Sequence, residues 1–352
     1  MAISTRLHTI LCDRLGIALP IIAAPMGGVA GPELVAAVSE AGGLGLLGHA
    51  NIDLDEMRRQ IRQVKALTRK PFGVGLLFPS RDERVEAAKP PKALPDFLQA
   101  LVEPGVTLIR SPERRYDNKI AEQRLDIAIE EGVPVLSFGL GAPASIIARA
   151  KAAGMMVVAL VGSRRAAVDV EQRGADVIVA QGHEAGGHTG RTSTLVLVPQ
   201  IVDVVKVPVV AAGGIVDGRG LAAALMLGAS GVLVGTRLLA TPEARTAVTH
   251  KDAIVAMDDD DTIVSRCYTG KPSRVIRNRF IDAWKGHDAE LLPMPEQWEM
   301  VEPLVTPAKR QGSIELANWP TGQGAVLVHA ITPAGEVVRQ IVDQASALLR
   351  AG

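Results

Sequence analysis

The chain has 352 residues, its 38 lysines and arginines balance 38 aspartates and glutamates, and no basic stripe stands out. This balance excludes nucleic acid as an expected partner, because binding nucleic acid needs a concentrated positive surface. A chain of this length can bury a large core without disulfides or metals, so we expect an α/β protein that acts on a small molecule.

We expect no secretory signal in the amino-terminal segment. It carries a charge every few residues, so it lacks the apolar core of a secretory signal. The uncharged stretch 15–32 is interrupted by prolines and glycines, which disfavours a membrane helix. Cys12 and Cys267 lie far apart, and without a sign of secretion we expect reduced thiols. The sequence therefore predicts a cytoplasmic protein with no membrane partner.

Eight short apolar segments recur along the chain, and most are followed by a stretch compatible with a helix. In chain order they are PIIAAP (20–25), GLGLLG (43–48), FGVGLL (72–77), PVLSFG (134–139), MVVALV (156–161), DVIVAQ (176–181), PVVAAG (208–213) and GVLVGT (231–236). Such alternation predicts parallel βαβ units, and eight units fit a (β/α)8 TIM barrel. An open doubly wound sheet is the alternative, but no GxGxxG follows the first strand.

Two regions exceed a minimal barrel. Residues 79–118 are rich in proline and charge and hold one apolar run, 106–110, which we interpret as part of an elaborated connection rather than a ninth barrel strand. Residues 242–323 predict a smaller, mainly helical cap. The predicted organisation is thus a barrel of residues 1–241 and 324–352, with a cap that covers a ligand at the carboxyl ends of the strands.

The segment 181–190, QGHEAGGHTG, directly follows a predicted strand and carries two histidines, one carboxylate and four glycines. Its glycines allow the backbone to approach a flat ligand. His183 and His188 are candidate acids, bases or hydrogen-bond donors, because histidine titrates near neutrality. The alternative is a glycine-rich turn whose histidines bond only to backbone.

Three further loops are predicted to meet this segment, because the strand ends of a barrel converge on one site. The glycine-rich loops after the seventh and eighth strands are typical of a phosphate cradle, to which Thr236 can donate a hydroxyl bond. The sequence therefore predicts a phosphorylated cofactor. The residues concerned are Ala24, Pro25 and Met26 after the first strand, Gly213 and Gly214 after the seventh, and Gly235 and Thr236 after the eighth.

Taken in order, these motifs resemble the nitronate monooxygenase family, formerly called 2-nitropropane dioxygenases. The matching motifs are PIIAAPMGG, GLGLLG, QGHEAGGHTG, AAGGI, GVLVGTRLL and TGKPSRVIRNRF, spread over most of residues 17–345. Flavin-dependent enoyl-acyl-carrier-protein reductases and NADH:quinone reductases are related to this family. The resemblance implies a (β/α)8 barrel that holds FMN non-covalently under a smaller cap, with no metal.

The resemblance also implies roles for particular residues. His188 would be the catalytic residue near the flavin N5, where it would take the α-proton of a neutral nitroalkane or position a nitronate. The residues implied to contact FMN are Ala24, Pro25, Met26, Gln181, Gly186, Gly187, Gly213, Gly214, Val234, Gly235 and Thr236.

The implied reaction is the oxidation of an alkyl nitronate with oxygen to a carbonyl compound and nitrite. One alternative is a flavin reductase that takes hydride from NAD(P)H and reduces a quinone or an enoyl thioester. A second alternative is a phosphate-binding barrel without redox chemistry. A homodimer is compatible with the sequence.

The chain departs from the family pattern at several positions. Gly75 stands where many relatives have asparagine, and Gly139 stands where a polar residue is common. An aromatic lid over the substrate would have to use Trp298 or Trp319. We interpret His49, alone in its loop, as a structural residue outside the site.

Overall fold

The computed structural model describes residues 7–49, 52–78, 92–102, 108 and 118–351. Its helices are α1 (Ile10–Leu15), α2 (Pro32–Glu40), α3 (Leu54–Leu67), α4 (Asp96–Gln99), α5 (Asn118–Glu130), α6 (Ala144–Ala152), α7 (Arg164–Gln172), α8 (Thr194–Val202), α9 (Gly218–Met226), α10 (Thr236–Leu239), α11 (Val248–Val255), α12 (Arg279–Asp282), α13 (Glu296–Arg310) and α14 (Ala334–Ala351). Its strands are β1 (Ile21–Ala23), β2 (Gly45–Gly48), β3 (Phe72–Leu77), β4 (Val135–Gly139), β5 (Met156–Val161), β6 (Val177–Gln181), β7 (Gly187–His188), β8 (Val209–Ala212), β9 (Gly231–Val234), β10 (Thr262–Ser265) and β11 (Ser273–Ile276).

Eight of these strands form one parallel sheet, in the order β1-β9-β8-β6-β5-β4-β3-β2. The sheet closes on itself, because Ile22 of β1 bridges Leu44, the residue before β2, and the amide of Ala23 donates to the Leu44 carbonyl at 2.8 Å. Each of the eight strands lies within one of the eight predicted segments. The predicted (β/α)8 TIM barrel is therefore confirmed.

The interior of the barrel is filled at the amino-terminal end by α1. Leu11, Cys12 and Leu15 of this helix pack among inward-facing residues of the strands. Gly231 makes room for the helix, since a β-carbon there would lie 2.5 Å from Leu11 and 2.6 Å from the Pro20 carbonyl. A ligand can therefore enter only from the opposite end, where the strands finish.

The outer layer consists of helices that follow the strands, and each buries one apolar stripe against the sheet. In α3 the buried residues Met57, Ile61 and Val64 recur at the spacing of one helix face. The ring is completed by α14, which packs against α9 and α2. The amide of Gly218 in α9 donates to Oε1 of Gln344 at 2.8 Å, which fixes α14 in this position.

The cap is mainly helical, as predicted, and adds a three-stranded antiparallel sheet in the order β10-β11-β7. Its core centres on Trp284, Trp298 and Phe280. Helix α4, from the insertion after β3, belongs to the same core: Leu98 is fully buried there and the ring of Phe97 stacks on His287 at 3.8 Å between centroids. The insertion thus supports the cap.

Two predictions about organisation stay predictions. Apart from Leu108, the apolar run 106–110 lies outside the described residues, as do residues 79–91 and 109–117. The division of the chain into a barrel and the cap of residues 242–323 is likewise untested.

Two predictions concern the environment of the chain. Cys12 and Cys267 are both buried and free, one in the barrel and one in the cap. Within the described part of the chain, no helix has both the length and the apolar character needed to cross a membrane.

We expect Gly45→Ala to destabilise the barrel by about 1–3 kcal/mol, the usual cost of overpacking a core. A β-carbon at Gly45 would lie 2.7 Å from the Val35 α-carbon in α2, and it would also meet the Val35 carbonyl oxygen. Thermal unfolding followed by circular dichroism measures the change. Gly335→Ala is the control, since its β-carbon would lie 3.6 Å from the nearest atom. Equal midpoints for the two variants would contradict the packing argument.

Candidate active site

A cavity of about 300 Å³ lies at the carboxyl ends of the barrel strands, between the strand loops and the cap. This volume is in the range of small-molecule sites. Of the twelve residues that the family resemblance implies for catalysis or FMN contact, all except Val234 line it, although they come from distant parts of the chain. They are Ala24, Pro25, Met26, Gln181, Gly186, Gly187, His188, Gly213, Gly214, Gly235 and Thr236.

Val234 lies beside this cavity without lining it. Its side chain is 1 % exposed and packs in the core between the barrel and the outer helices. Its carbonyl accepts the amide of Ala24 at 2.9 Å, so its backbone holds the loop after β1. A contact of Val234 with a cofactor stays a prediction.

The loop after β1 forms one wall of the cavity and rests on two glycines. A β-carbon at Gly48 would meet the Met26 carbonyl oxygen, and one at Gly75 would lie 2.6 Å from Cγ of Pro25. Pro25 therefore fills the space into which a side chain at position 75 would extend. In this chain the loop after β1 therefore leaves no space for a side chain at position 75.

The loop after β6 is held to its neighbours by Glu184. Its carboxylate accepts the amide of Thr194 at 3.0 and 3.1 Å at the start of α8, and its carbonyl accepts the amide of Gln323 at 2.9 Å. The Thr194 hydroxyl lies 2.9 Å from the carbonyl of Gly213 in the loop after β8. Glu184 thus caps a helix and joins three loops, a role that the sequence did not reveal.

The loops after β8 and β9 have the form of an anion cradle. Gly213 and Gly214 have φ values of 100° and 72°, which favour glycine. A β-carbon at Gly235 would meet only Ala24, at 3.4 Å, so this side of the cavity is open to a ligand. The Thr236 hydroxyl accepts the amide of Gly322 at 2.9 Å and still has its proton to donate. These groups fit a bound phosphate.

Of the two histidines in the loop after β6, the structure brings His188 to the cavity. His188 pairs with Ser273 of β11, and its Nε2 lies 2.9 Å from Oγ1 of Thr269. The side-chain amide of Gln181 donates to the His188 carbonyl at 2.5 Å. His183 does not line the cavity, and its Nδ1 lies 2.9 Å from the Gly190 carbonyl. His183 therefore shapes the loop.

The cap contributes a group of side chains that the sequence analysis mostly missed. Trp319, one of the two predicted lid aromatics, lines the cavity, whereas Trp298 packs in the cap core. The rings of Trp319 and His250 lie 4.8 Å apart, and Nζ of Lys309 lies 5.0 Å from the Trp319 ring centre. His250 and Lys309 sit on separate helices, so no local pattern signals that they meet.

Burial makes two histidines neutral at ordinary pH. It lowers the pKa of His250 to about 3, with a smaller effect of Lys309, and it lowers the pKa of His49 to about 4. His49 is fully buried and does not line the cavity, in agreement with a structural role. His250 lines the cavity, and its Nε2 lies 2.8 Å from the Thr321 hydroxyl.

Two arginines of the motif TGKPSRVIRNRF have structural partners. Arg274 is buried and donates to the His183 carbonyl at 3.3 Å, and Arg277 pairs with Asp282 at 3.1 Å. Neither arginine lines the cavity. In the described ranges of the chain, no group of three or more histidine, cysteine or acidic side chains is placed to hold a metal ion.

A closed barrel with a covered small-molecule cavity at the carboxyl ends of its strands defines a (β/α)8-barrel enzyme. The model of the family described as nitronate monooxygenase matches residues 8–344. The chain belongs to the nitronate monooxygenase family and is an oxidoreductase of that kind, as the motifs predicted.

Similar proteins cover nearly the whole chain. A probable nitronate monooxygenase of Staphylococcus aureus (strain MSSA476) is 35% identical over 356 residues, which cover 97% of this chain and 98% of the relative. The structure of nitroalkane oxidase from Streptomyces ansochromogenes matches with a TM-score of 0.82 at 32% identity, covering 97% and 99% of the two chains. FabK from Thermotoga maritima matches with a TM-score of 0.80 at 34% identity, covering 97% of each chain.

We expect the protein to lose stability as the pH falls from 7 towards 5, partly through His250. The unfolded chain binds a proton there near the ordinary pKa of 6.5, whereas the folded protein binds it only near pH 3. The contribution is on the order of 1–2 kcal/mol at pH 5. His250→Gln should therefore flatten the dependence of the unfolding free energy on pH, whatever its effect on absolute stability.

Urea unfolding at a series of pH values between 5 and 8 would measure this slope, a range set by histidine titration. His329→Gln, at an exposed position, is the matched control. A slope in the His250 variant as steep as in the unaltered protein would contradict burial of a neutral His250.

Proposed function

We propose that the protein is an FMN-dependent nitronate monooxygenase, which oxidises alkyl nitronates with oxygen to a carbonyl compound and nitrite. The observation that carries this proposal is the convergence of His188, the phosphate-type cradle and Lys309 on one cavity. A nitronate is a small anion, and a lysine ammonium in a partly desolvated wall attracts it more strongly than in water.

The residues of the cavity fit FMN. Gly213, Gly214, Gly235 and Thr236 would hold its phosphate, while Pro25 and Met26 would pack beside the flavin ring. Bound FMN would supply the electron acceptor for the substrate and the electron donor for oxygen.

The side chains of the protein would perform the remaining tasks. His188 would take the α-proton of a neutral nitroalkane or orient a nitronate. Lys309, whose Nζ donates to the Asn318 carbonyl at 3.1 Å, would hold the anion at the cap side of the cavity. Trp319 is 3 % exposed and would help to exclude water. We propose that residues 242–323 form the domain that covers the substrate.

A second candidate function is supported by the similarity to FabK. Its TM-score of 0.80 and identity of 34% are close to the 0.82 and 32% of nitroalkane oxidase. In this alternative the same site would take hydride from NAD(P)H and reduce a quinone or an enoyl thioester. A barrel without redox chemistry has less support, because the match to the nitronate monooxygenase family spans nearly the whole chain.

Anaerobic stopped-flow absorbance separates these functions. The purified protein is mixed with propyl-2-nitronate, NADH or NADPH, and the visible flavin band is followed. Rapid bleaching with the nitronate supports the monooxygenase. Bleaching with a reduced nicotinamide alone would make the protein a reductase, and a protein that takes up no FMN would refute both redox functions.

We expect His188→Asn to keep FMN and to lower turnover about 100-fold or more, the usual contribution of a positioned acid or base. Flavin absorbance measures cofactor content, and oxygen consumption with a nitroalkane measures turnover. His183→Asn, in the same loop, is the control and should retain most of the activity because asparagine can replace its bond to Gly190. Full activity in the His188 variant would remove this residue from the mechanism.

We expect Gly75→Ala to weaken FMN binding about tenfold, which corresponds to about 1.4 kcal/mol. The new methyl group would push Pro25 towards the space of the flavin ring. Quenching of flavin fluorescence on titration gives the dissociation constant. Gly335→Ala is the control, since Gly335 does not line the cavity and its β-carbon would lie 3.6 Å from the nearest atom. An equal loss in both variants would contradict the role of Pro25.

A further inference from the structure

The hydroxyl of Thr269 lies within hydrogen-bonding distance of the imidazole of His188. Oγ1 of Thr269 lies 2.9 Å from Nε2 of His188, and Thr269 itself is 4 % exposed and lines the cavity. The same oxygen lies 3.2 Å from the carbonyl oxygen of Lys271 and 3.4 Å from the backbone nitrogen of Lys271. One hydroxyl therefore meets three hydrogen-bonding atoms.

The chemistry of these atoms determines which one donates. A threonine hydroxyl has one proton and two lone pairs, a carbonyl oxygen only accepts, and a backbone N–H only donates. The Thr269 proton thus goes to the Lys271 carbonyl, and one lone pair takes the Lys271 N–H. The second lone pair faces Nε2 of His188, so all three hydrogen bonds form only when Nε2 carries the imidazole proton.

A neutral imidazole has a single N–H, so a proton on Nε2 leaves Nδ1 without one. The backbone around this contact is held on both sides. Ser273 pairs with His188 across β11 and β7, the Thr189 amide donates to the Pro272 carbonyl at 3.2 Å, and Gln181 donates to the His188 carbonyl. The backbone of His188 is thus held by β11, and Thr269 lies in the turn that leads into this strand.

We propose that Thr269 is a positioning residue that holds neutral His188 with its proton on Nε2, which makes Nδ1 the proton acceptor of the site. The proposal rests on the proposed function, and it concerns the case in which the substrate enters as a neutral nitroalkane. The α-C–H bond of that substrate breaks, its electron pair stays on the substrate as the nitronate, and the proton forms an N–H bond at Nδ1. The resulting imidazolium still donates to Thr269 through Nε2.

A consequence follows for the two forms of the substrate. A nitroalkane must lose its proton at the site, whereas a nitronate has already lost it. Thr269→Val keeps the shape of the side chain and removes the hydroxyl. We expect this variant to lose about tenfold to a hundredfold in kcat with a neutral nitroalkane, as for other groups that orient a functional histidine. Its kcat/KM for the nitronate should fall by much less, because that substrate gives up no proton at the site.

Thr269→Ser restores a hydroxyl and should recover most of the nitroalkane turnover. A threonine with a merely structural role would give another pattern: both substrate forms would lose turnover alike in the valine variant, and serine would not restore the difference between them. That pattern would overturn the proposal.

A spectroscopic test does not depend on turnover. Long-range ¹H–¹⁵N correlation spectra of the FMN-loaded protein, labelled with ¹⁵N-histidine, show which ring nitrogen is protonated, and the signal missing in His188→Asn identifies His188. We expect a protonated Nε2 in the unaltered protein and in Thr269→Ser, and a mixture of tautomers in Thr269→Val. A protonated Nδ1 in the unaltered protein would overturn the proposal even if the protein oxidises no nitroalkane, and the expected spectra without any oxidation would refute only the proposed function.

Discussion

The hydrogen bonds that join β1 to β2 are the constraint on which the rest of the structure depends. The hydrogen bond from Ala23 to Leu44 joins the first and last strands of the sheet, so the eight strands form a closed barrel. Their carboxyl ends then surround a single space. Helix α1 fills the other end, so the strand loops are left to form the cavity. Residues separated by two hundred positions meet there because of closure alone, which is the general reason that barrels carry their sites at this end.

The second constraint is the small antiparallel sheet between barrel and cap. β7 lies in the loop after β6, and it pairs with β11 of the cap. This pairing brings Thr269 to His188 and brings the returning segment of the cap, at Gly322, to Thr236 in the loop after β9. The cap is thereby tied to the cavity both at His188 and at the glycine-rich loop after β9.

The balance of charge at the cap side follows from burial. Desolvation keeps His250 neutral, while Lys309 lies against the face of Trp319. Because His250 is neutral, it does not repel the ammonium group of Lys309. The lysine then gives this wall a positive charge, which favours an anionic ligand. The carboxylate that lines the cavity, on Glu184, is occupied by the first turn of α8.

The sequence by itself determined the eight strands, the barrel, the family and the glycine-rich loops, because apolar periodicity and glycine requirements act over a few residues. It also selected Trp319 as one of two lid residues and placed His188 in the site. The glycine-rich segment alone left His183 and His188 as equal candidates, and only the family resemblance pointed to His188. The sequence did not show that Pro25 packs against Gly75 or that Glu184 caps α8. The contacts of His250, Lys309 and Thr269 were decided only by the tertiary structure, since they join elements far apart in sequence and depend on how the cap docks on the closed barrel.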